Sequence, residues 1–422
     1  MNTKIELDKA RRFAWFNLIA GFIAYFYILG FPAVLMPNLY PYIISDTGWS
    51  RGEVTSFASY KFVTMTLFVF MLVFFIERMG AKRLLITGII INGLSMGCFI
   101  FIDSLWMYYG LAVCFGLGAI SGNVAIKVLI SRWYYARQGR AIGFALMGSG
   151  IAGVVAPVVI EMMTQAIGWK FTVVYLSMGI WIFILPLILY LTHDDPEEFG
   201  YTSQDLDAAE GSDKTSNTNN LEQPDFASVK SSTIFWLIAL AIYFVAIVEG
   251  GMMQNTKTYL QLDVGFSGEQ AAWFFTLLML TSLVGRYLFG WFYDLLSVKG
   301  VSVCFIIIGM GALMALPVTG LFTAFIFCIV RGFGHGGVLV EIPVLAKHVF
   351  GERSMSRVIS IYTGAYSLGM ATGGWSFGYS YDYFGSYRVI FLVSIVLCLI
   401  SASIVYRARP VFWQRYNHET EP

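Results

Sequence analysis

The sequence predicts an all-α membrane protein with twelve transmembrane helices in two parallel six-helix repeats. Its composition, its long apolar segments and an internal repeat across those segments support this prediction. Of the 422 residues, 57% are hydrophobic and 13% are charged, and the mean hydropathy is +0.69. A soluble domain carries about 25% charged residues. The net charge of +1 also gives no sign of a nucleic-acid partner.

Long apolar segments define the spans, because a helix needs about 20 mostly apolar residues to cross a bilayer. A polar segment rich in Asp, Glu, Asn, Ser and Thr divides these segments six and six, and we expect it to be a flexible, solvated linker. The predicted domains are an N-terminal bundle (1–192), the linker (193–232) and a C-terminal bundle (233–422). The predicted spans are 13–40, 54–76, 83–102, 105–132, 140–163, 169–192, 233–257, 270–295, 300–320, 322–349, 358–384 and 387–407.

The distribution of basic residues predicts the orientation, since Lys and Arg collect in cytoplasmic loops. If the N-terminus is inside, most of the 27 basic residues fall on that face. We therefore expect a multi-pass protein of the cytoplasmic (plasma) membrane with both termini cytoplasmic. The opposite face would carry Arg51, Lys61, Lys170, Lys257 and Arg388.

Short motifs of the first half recur in the second half in one register. Asp46–Ser50 returns as Asp263–Ser267, and Trp169-Lys170 returns as Tyr387-Arg388. Each half has an even number of spans, so both enter the membrane from the same side. Parallel repeats of this kind are typical of alternating-access transporters with a site between the halves.

Arg286 lies inside the eighth predicted span, where a permanent cation is costly and marks a functional site. Helical spacing places Ser282 and Gly290 on the same face. The planar guanidinium binds a carboxylate through two parallel hydrogen bonds, so Arg286 is the candidate anion anchor. A structural ion pair is the alternative.

Other polar residues in the spans are candidates for substrate binding. Asn123 and Lys127 share one face of the fourth span, although Lys127 could instead extend to the basic inner end. Tyr362 and Tyr366 share a face of the eleventh span, and Tyr27 lies in the first. A tyrosine offers an apolar wall and a hydroxyl, although many aromatics only pack helices.

Four ionisable residues are candidates for proton coupling. Glu249 and Arg331 lie at similar depths in the seventh and tenth spans, so they could form a structural pair or a pair that opens on protonation. Glu341 and His335, also in the tenth span, are alternative proton carriers. A plain ion pair of Glu341 with Lys347 and a packing role for His335 remain open.

The loop after the second span, Glu77–Arg83, resembles the gating motif of the major facilitator superfamily, and Gly290–Asp294 is its counterpart in the second half. The chain resembles that superfamily over its whole length, which implies the major facilitator fold. The gating residues implied by this resemblance are Glu77, Arg78, Gly80, Arg83, Asp294 and Arg137.

Three stretches, Asp46–Ser59, Arg132–Gly143 and Gly285–Asp294, resemble the monocarboxylate-porter and oxalate:formate-antiporter branch. The resemblance implies that Arg286 binds the substrate carboxylate. It fails at Leu368, where oxalate-type antiporters have a Lys, and at Ser282, where animal monocarboxylate porters have an Asp. A site with one firm cation suits a single carboxylate, and the proton relay of the animal porters does not carry over.

The expected function is secondary transport of a small organic monocarboxylate, with proton symport first and anion exchange second. Efflux of a larger amphipathic compound and a non-transporting membrane sensor are the alternatives. The sequence does not place a nucleophile and a base at a spacing that would indicate an enzyme. The five cysteines fit no metal or redox motif, so we expect no metal and no cofactor. The expected partners are the organic anion, a proton or counter-anion and the lipid bilayer, for a monomeric protein.

Overall fold

The computed structural model describes residues 2–134, 138–194, 197, 225–351 and 354–408. Within these ranges the regular secondary structure is entirely helical, and each of the twelve predicted spans coincides with a helix. The long helices are α1 (Asn2–Ala24, Tyr25–Gly30 and Phe31–Thr47), α2 (Arg51–Met79), α3 (Ala81–Gly97 and Cys98–Phe101), α4 (Leu105–Trp133), α5 (Gln138–Ile167), α6 (Trp169–Gly179, Ile180–Ile184 and Leu185–Leu191), α7 (Thr233–Thr258 and Tyr259–Asp263), α8 and α9 (the parts before and after Ser297 of one run, Gly268–Ala315), α10 (Leu321–Phe350), α11 (Met355–Phe384) and α12 (Arg388–Tyr406). A short helix, Phe226–Ser231, precedes α7.

Ten of these helices are long and apolar enough, over the residues described, to cross a membrane. The other two, α2 and α11, coincide with the second and eleventh predicted spans. The prediction of an all-α membrane protein built from two six-helix repeats is therefore confirmed. Most of the linker, and Arg137 among the predicted gating residues, lie outside the described residues.

The chain divides into two compact units. Unit 1 contains Met1–Met36 and Thr64–Thr218, and unit 2 contains Pro37–Val63 and Asn219–Pro422. The end of α1 and the start of α2 therefore group with the second half of the sequence. Hydrogen bonds account for part of this grouping, because Asp382 at the end of α11 accepts from the backbone nitrogens of Arg51 and Gly52 at the start of α2.

Within each unit, glycines let one pair of helices approach closely, and the pair occupies the same place in both repeats. In unit 1, a Cβ on Gly148 of α5 would overlap the Phe22 carbonyl of α1. In unit 2, a Cβ on Gly369 or Gly373 of α11 would overlap the backbone of α7. Small residues let helix backbones approach in this way, which is how membrane helices associate.

Several helices depart from regular α-geometry within the membrane segments. Tyr25–Gly30 of α1, Ile180–Ile184 of α6 and Tyr259–Asp263 of α7 are π-helical. Ser297 bends the continuous run from α8 into α9 with a φ of 48°. A non-glycine residue at this φ is strained, so packing around the bend must hold it there.

Candidate functional site

Arg286 occupies the interior of α8 and is partly buried. Its Nε atom is buried without a hydrogen-bond partner, and no ion pair joins its guanidinium to any described residue. The alternative of a structural ion pair therefore finds no support within the described chain. A membrane-embedded cation in this state lacks the anion that would offset its desolvation.

Tyr366 of α11 and His335 of α10 lie within electrostatic range of Arg286. Ser282, one helical turn before Arg286, is buried, and its hydroxyl oxygen has no partner in the part of the chain described. The surroundings of the guanidinium thus hold hydroxyl groups and an imidazole. This arrangement suits a ligand with one negative charge and a further polar atom.

Glycines bring α8 and α10 into backbone contact at this position. A Cβ on Gly336 of α10 would overlap the Ser282 carbonyl and lie 2.7 Å from the Arg286 amide nitrogen. A Cβ on Gly285 would lie 2.6 Å from the Phe333 carbonyl oxygen. The backbones of Arg286 and Gly336 are therefore in contact across a tight interface, and His335 is the residue before Gly336 in α10.

Glu249 of α7 is fully buried and is held by two residues of α10. Arg331 donates to both carboxylate oxygens at 2.9 and 2.8 Å, and the His335 Nδ1 atom lies 2.8 Å from Oε2. Arg331 is 1% exposed and Glu249 is 0% exposed. A two-point hydrogen bond of this kind compensates both buried charges. The matched depths of Glu249 and Arg331 pointed to their contact, but the bond from His335 was not anticipated.

Glu341 is fully buried, and neither of its carboxyl oxygens has a hydrogen-bond partner among the described residues. The ion pair with Lys347 that the sequence left open therefore does not form. Glu249, Tyr293, Cys304 and Tyr366 lie within electrostatic range of this carboxyl group. Because an ionised carboxylate is expensive to bury alone, this environment favours the neutral acid.

The candidates in unit 1 make contacts of their own. Asn123 accepts a 3.0 Å hydrogen bond from the hydroxyl of Tyr25, and the hydroxyl of Tyr27 donates to the Leu176 carbonyl at 2.7 Å. Lys127 is exposed, and no hydrogen bond or ion pair connects it to the residues described. The roles of Asn123, Lys127 and Tyr27 in binding stay predictions.

Tyr362 and Tyr366 differ although they share a helix face. Tyr362 is fully buried, stacks on Phe235 and donates to its carbonyl oxygen at 3.1 Å. Tyr366 is partly exposed and near Arg286. The hydroxyl of Tyr362 is therefore already bonded within the protein, whereas Tyr366 is the better placed of the two for a ligand.

The predicted gating loop joins α2 to α3. Glu77, Arg78 and Arg83 are exposed, and Gly80 has a φ of 81°, which favours glycine. The carboxylate that binds the start of α3 is Asp194, which accepts from the Lys82 backbone nitrogen at 2.8 Å. The side chain of Asp294 lies outside what the structure describes. The gating roles stay predictions.

Next to this loop, His193 packs its ring on Phe13 with the centroids 4.2 Å apart. Its backbone nitrogen donates to the Asn17 side chain, and its carbonyl accepts from Trp133. Burial, together with the nearby Lys82, lowers the pKa of His193 below its usual value. The ring is therefore mainly neutral at neutral pH.

Two features of unit 2 were missed by the sequence analysis. Arg51 forms a two-point ion pair with Asp263 at the end of α7, and its guanidinium lies 3.4 Å from the ring centroid of Tyr381. Lys257, counted on the outer face, is instead fully buried in α7 and donates to the Asn38 carbonyl at 2.9 Å. The recurrence of Asp46 as Asp263 was the one signal that could have drawn attention to the first cluster.

Comparison with known proteins agrees with the helical membrane fold. The model of the Major Facilitator Superfamily matches residues 18–299 and 243–422, so the chain belongs to this superfamily of membrane transporters and is not an enzyme.

Among curated proteins, the chain is 24% identical over 368 residues to human monocarboxylate transporter 12, covering 79% of this chain and 70% of that protein. It is 24% identical over 349 residues to monocarboxylate transporter 10 of Rattus norvegicus, and the match covers 77% of this chain and 65% of that protein. The chain thus spans about two thirds of the length of these relatives, and the resemblance to monocarboxylate porters is confirmed at this level of similarity.

Among solved structures, the fold is similar to a bacterial homologue of the human lysosomal transporter Spinster. The TM-score is 0.77 at 16% identity, and the match covers 94% of this chain and 97% of that chain. At this identity the likeness concerns the fold alone.

Proposed function

We propose that the protein is a secondary active transporter that moves a small organic monocarboxylate by alternating access, coupled to a proton, with Arg286 as the carboxylate anchor. The observation that carries the proposal is the cation in the interior of α8 without an anionic partner in the described chain. A substrate carboxylate would accept two charge-assisted hydrogen bonds from it. The similarity to proteins named monocarboxylate transporters supports the same substrate class.

Arg331 shows why Arg286 is the better anchor of the two. The guanidinium of Arg331 is already bonded to Glu249 and has almost no exposed surface, whereas Arg286 is partly exposed. A ligand at Arg331 would first have to break a buried ion pair, which typically costs about 3–5 kcal/mol. Tyr366 is the second ligand-binding residue in this proposal because of its partly exposed position near Arg286.

Glu341 is the carrier of the coupled proton in this proposal. It is a buried carboxyl group without a partner among the described residues, so it can take up and release a proton without first breaking an ion pair. Glu249 has the opposite character, since two basic side chains of α10 hold it. We assign Glu249 and Arg331 a structural role.

The proposal places the protein in the plasma membrane as a monomer with both termini cytoplasmic. The excess of Lys and Arg on one side of the spans supports this orientation.

Uptake of a labelled monocarboxylate by proteoliposomes tests the proposal. An inward proton gradient is expected to drive accumulation above equilibrium, and a dissipated gradient is expected to abolish that accumulation. Stimulation by internal carboxylate without any response to the gradient would instead indicate anion exchange. No carboxylate flux in either assay would contradict the proposal.

A further inference from the structure

His335 joins the buried ion pair of unit 2 to the neighbourhood of Arg286. Its Nδ1 atom lies 2.8 Å from Oε2 of Glu249, and its side chain remains 10% exposed. The Nε2 atom has no hydrogen bond to a described residue. One ring nitrogen is therefore bonded within the protein, and the other is available to a ligand.

The bond to Glu249 determines which ring nitrogen carries the proton. The two-point bond from Arg331 keeps Glu249 ionised, and an ionised carboxylate only accepts hydrogen bonds. The Nδ1 atom must therefore be the donor. In a neutral imidazole, a proton on Nδ1 makes Nε2 an acceptor.

The surrounding charges favour the neutral ring. Among the residues described, Glu249 of α7 is the negative group that acts on His335, while Arg331 of α10 and Arg286 of α8 both oppose a further positive charge. Because Arg331 already balances Glu249, protonation of His335 would place a second uncompensated cation beside Arg286. Burial makes such an arrangement costly.

The tight contact of α8 with α10 puts Gly336, the residue after His335, against the backbone of Arg286, and the charge of Arg286 acts on the His335 ring. A carboxylate bound at Arg286 would then lie beside the neutral acceptor Nε2, and a hydrogen-bond donor on the carbon next to that carboxylate would be the group to bind it. A hydroxyl group there fits, whereas a keto oxygen at the same place faces the acceptor with a lone pair.

We propose that His335 is a specificity-determining residue whose Nε2 atom accepts a hydrogen bond from the hydroxyl of a 2-hydroxymonocarboxylate bound at Arg286. This inference rests on the proposed function and adds to it a preference for hydroxy acids over keto acids of the same size and charge. A missing hydrogen bond to a buried polar group lowers affinity about 5- to 150-fold.

Equilibrium binding of 2-hydroxypropanoate and 2-oxopropanoate to the purified full-length protein tests the inference, because the two ligands differ in the donor. We expect the wild type to bind the hydroxy acid at least about fivefold more tightly than the keto acid. Equal affinities would overturn the inference and leave the proposed function intact. Tighter binding of the keto acid would also overturn it, since Nε2 would then be a donor. Binding of neither acid would overturn both proposals.

Two substitutions locate the effect on Nε2. His335→Asn keeps an amide donor near the Nδ1 position, so the bond to Glu249 survives while the acceptor is lost, and we expect the two affinities to become equal. His335→Gln places an amide oxygen near the Nε2 position, and we expect the preference to persist. A preference that survives in His335→Asn, or disappears in His335→Gln, would overturn the inference. If His335→Asn does not fold, the ratio of the affinities for the two acids in His335→Gln and in the wild type still tests the inference.

Discussion

At the scale of single residues, two arginines inside the spans show how a partner determines what a buried cation can do. The guanidinium of Arg331 is bonded to both carboxylate oxygens of Glu249, so the two charges neutralise each other. Arg286 has no such carboxylate in the described chain. The same side chain is therefore neutralised within the protein at one position and lacks an anionic partner among the described residues at the other.

The ion pair gives a prediction about stability. Arg331→Met leaves the Glu249 carboxylate buried with His335 as its remaining partner, and breaking a buried pair typically costs about 3–5 kcal/mol. We expect a clear loss of thermal stability in detergent, measured as a lower Tm. The double variant Glu249→Gln/Arg331→Met removes both charges and should recover much of the loss. A double variant that is destabilised by the sum of the two single effects would contradict the account.

At the scale of the helices, α8 and α10 hold Arg286 and His335 in place through backbone contact. The contact depends on Gly285, Gly332 and Gly336, because a Cβ at any of them would overlap atoms of the facing helix. The position of the proposed anchor, Arg286, therefore depends on the helix interface as well as on the arginine itself.

The contact between α8 and α10 predicts the effect of adding a methyl group at Gly336. Gly336→Ala would force the Cβ against the Ser282 carbonyl and the Arg286 backbone, so the helices must separate. Overpacking of this kind costs about 1–3 kcal/mol, and we expect a lower Tm together with weaker carboxylate binding. Gly110→Ala is the matched control, since nothing lies within 4 Å of a Cβ there. Equal behaviour of the two variants would show that the contact is unimportant.

Hydropathy predicted where the helices lie, and matched depth suggested the contact of Glu249 with Arg331. Neither hydropathy nor depth could predict the bond from His335 to Glu249, because that contact depends on which faces of α7 and α10 meet. The same limit explains Arg51 and Asp263, which lie 212 residues apart in sequence. Lys257 was assigned to the outer face from its position near a span end, whereas its amine bonds a backbone carbonyl in a buried environment.

At the scale of the whole molecule, the ionisable residues of the candidate site are concentrated in the second repeat. Glu249, Arg286, Arg331, His335 and Glu341 lie in α7, α8 and α10. The two repeats share a fold, but the polar candidates of the first repeat are a lysine, an asparagine and a tyrosine. We infer that the second repeat carries both the anion anchor and the proton site.

This arrangement predicts the effect of Glu341→Gln on coupling. Glutamine keeps the size of the side chain and cannot take up a proton, so a pH gradient should no longer drive accumulation while carboxylate exchange continues. Proteoliposome uptake with and without the gradient measures both. Glu269→Gln, an exposed acid in the first turn of α8, is the control and should behave as wild type. If a pH gradient still drives carboxylate accumulation in Glu341→Gln as strongly as in the wild type, another group must carry the coupled proton.

Binding of a labelled monocarboxylate to Arg286 variants tests the central claim most directly. Hydrogen bonds to charged groups contribute about 1.5–3 kcal/mol, so Arg286→Ala should weaken binding by about 10- to 100-fold. Arg286→Lys should recover only part of it, because an ammonium cannot form the two-point bond. Tyr287→Ala, at a neighbouring side chain that is 81% exposed, should bind as wild type. Wild-type affinity in both Arg286 variants would contradict the assignment of this residue as the anchor.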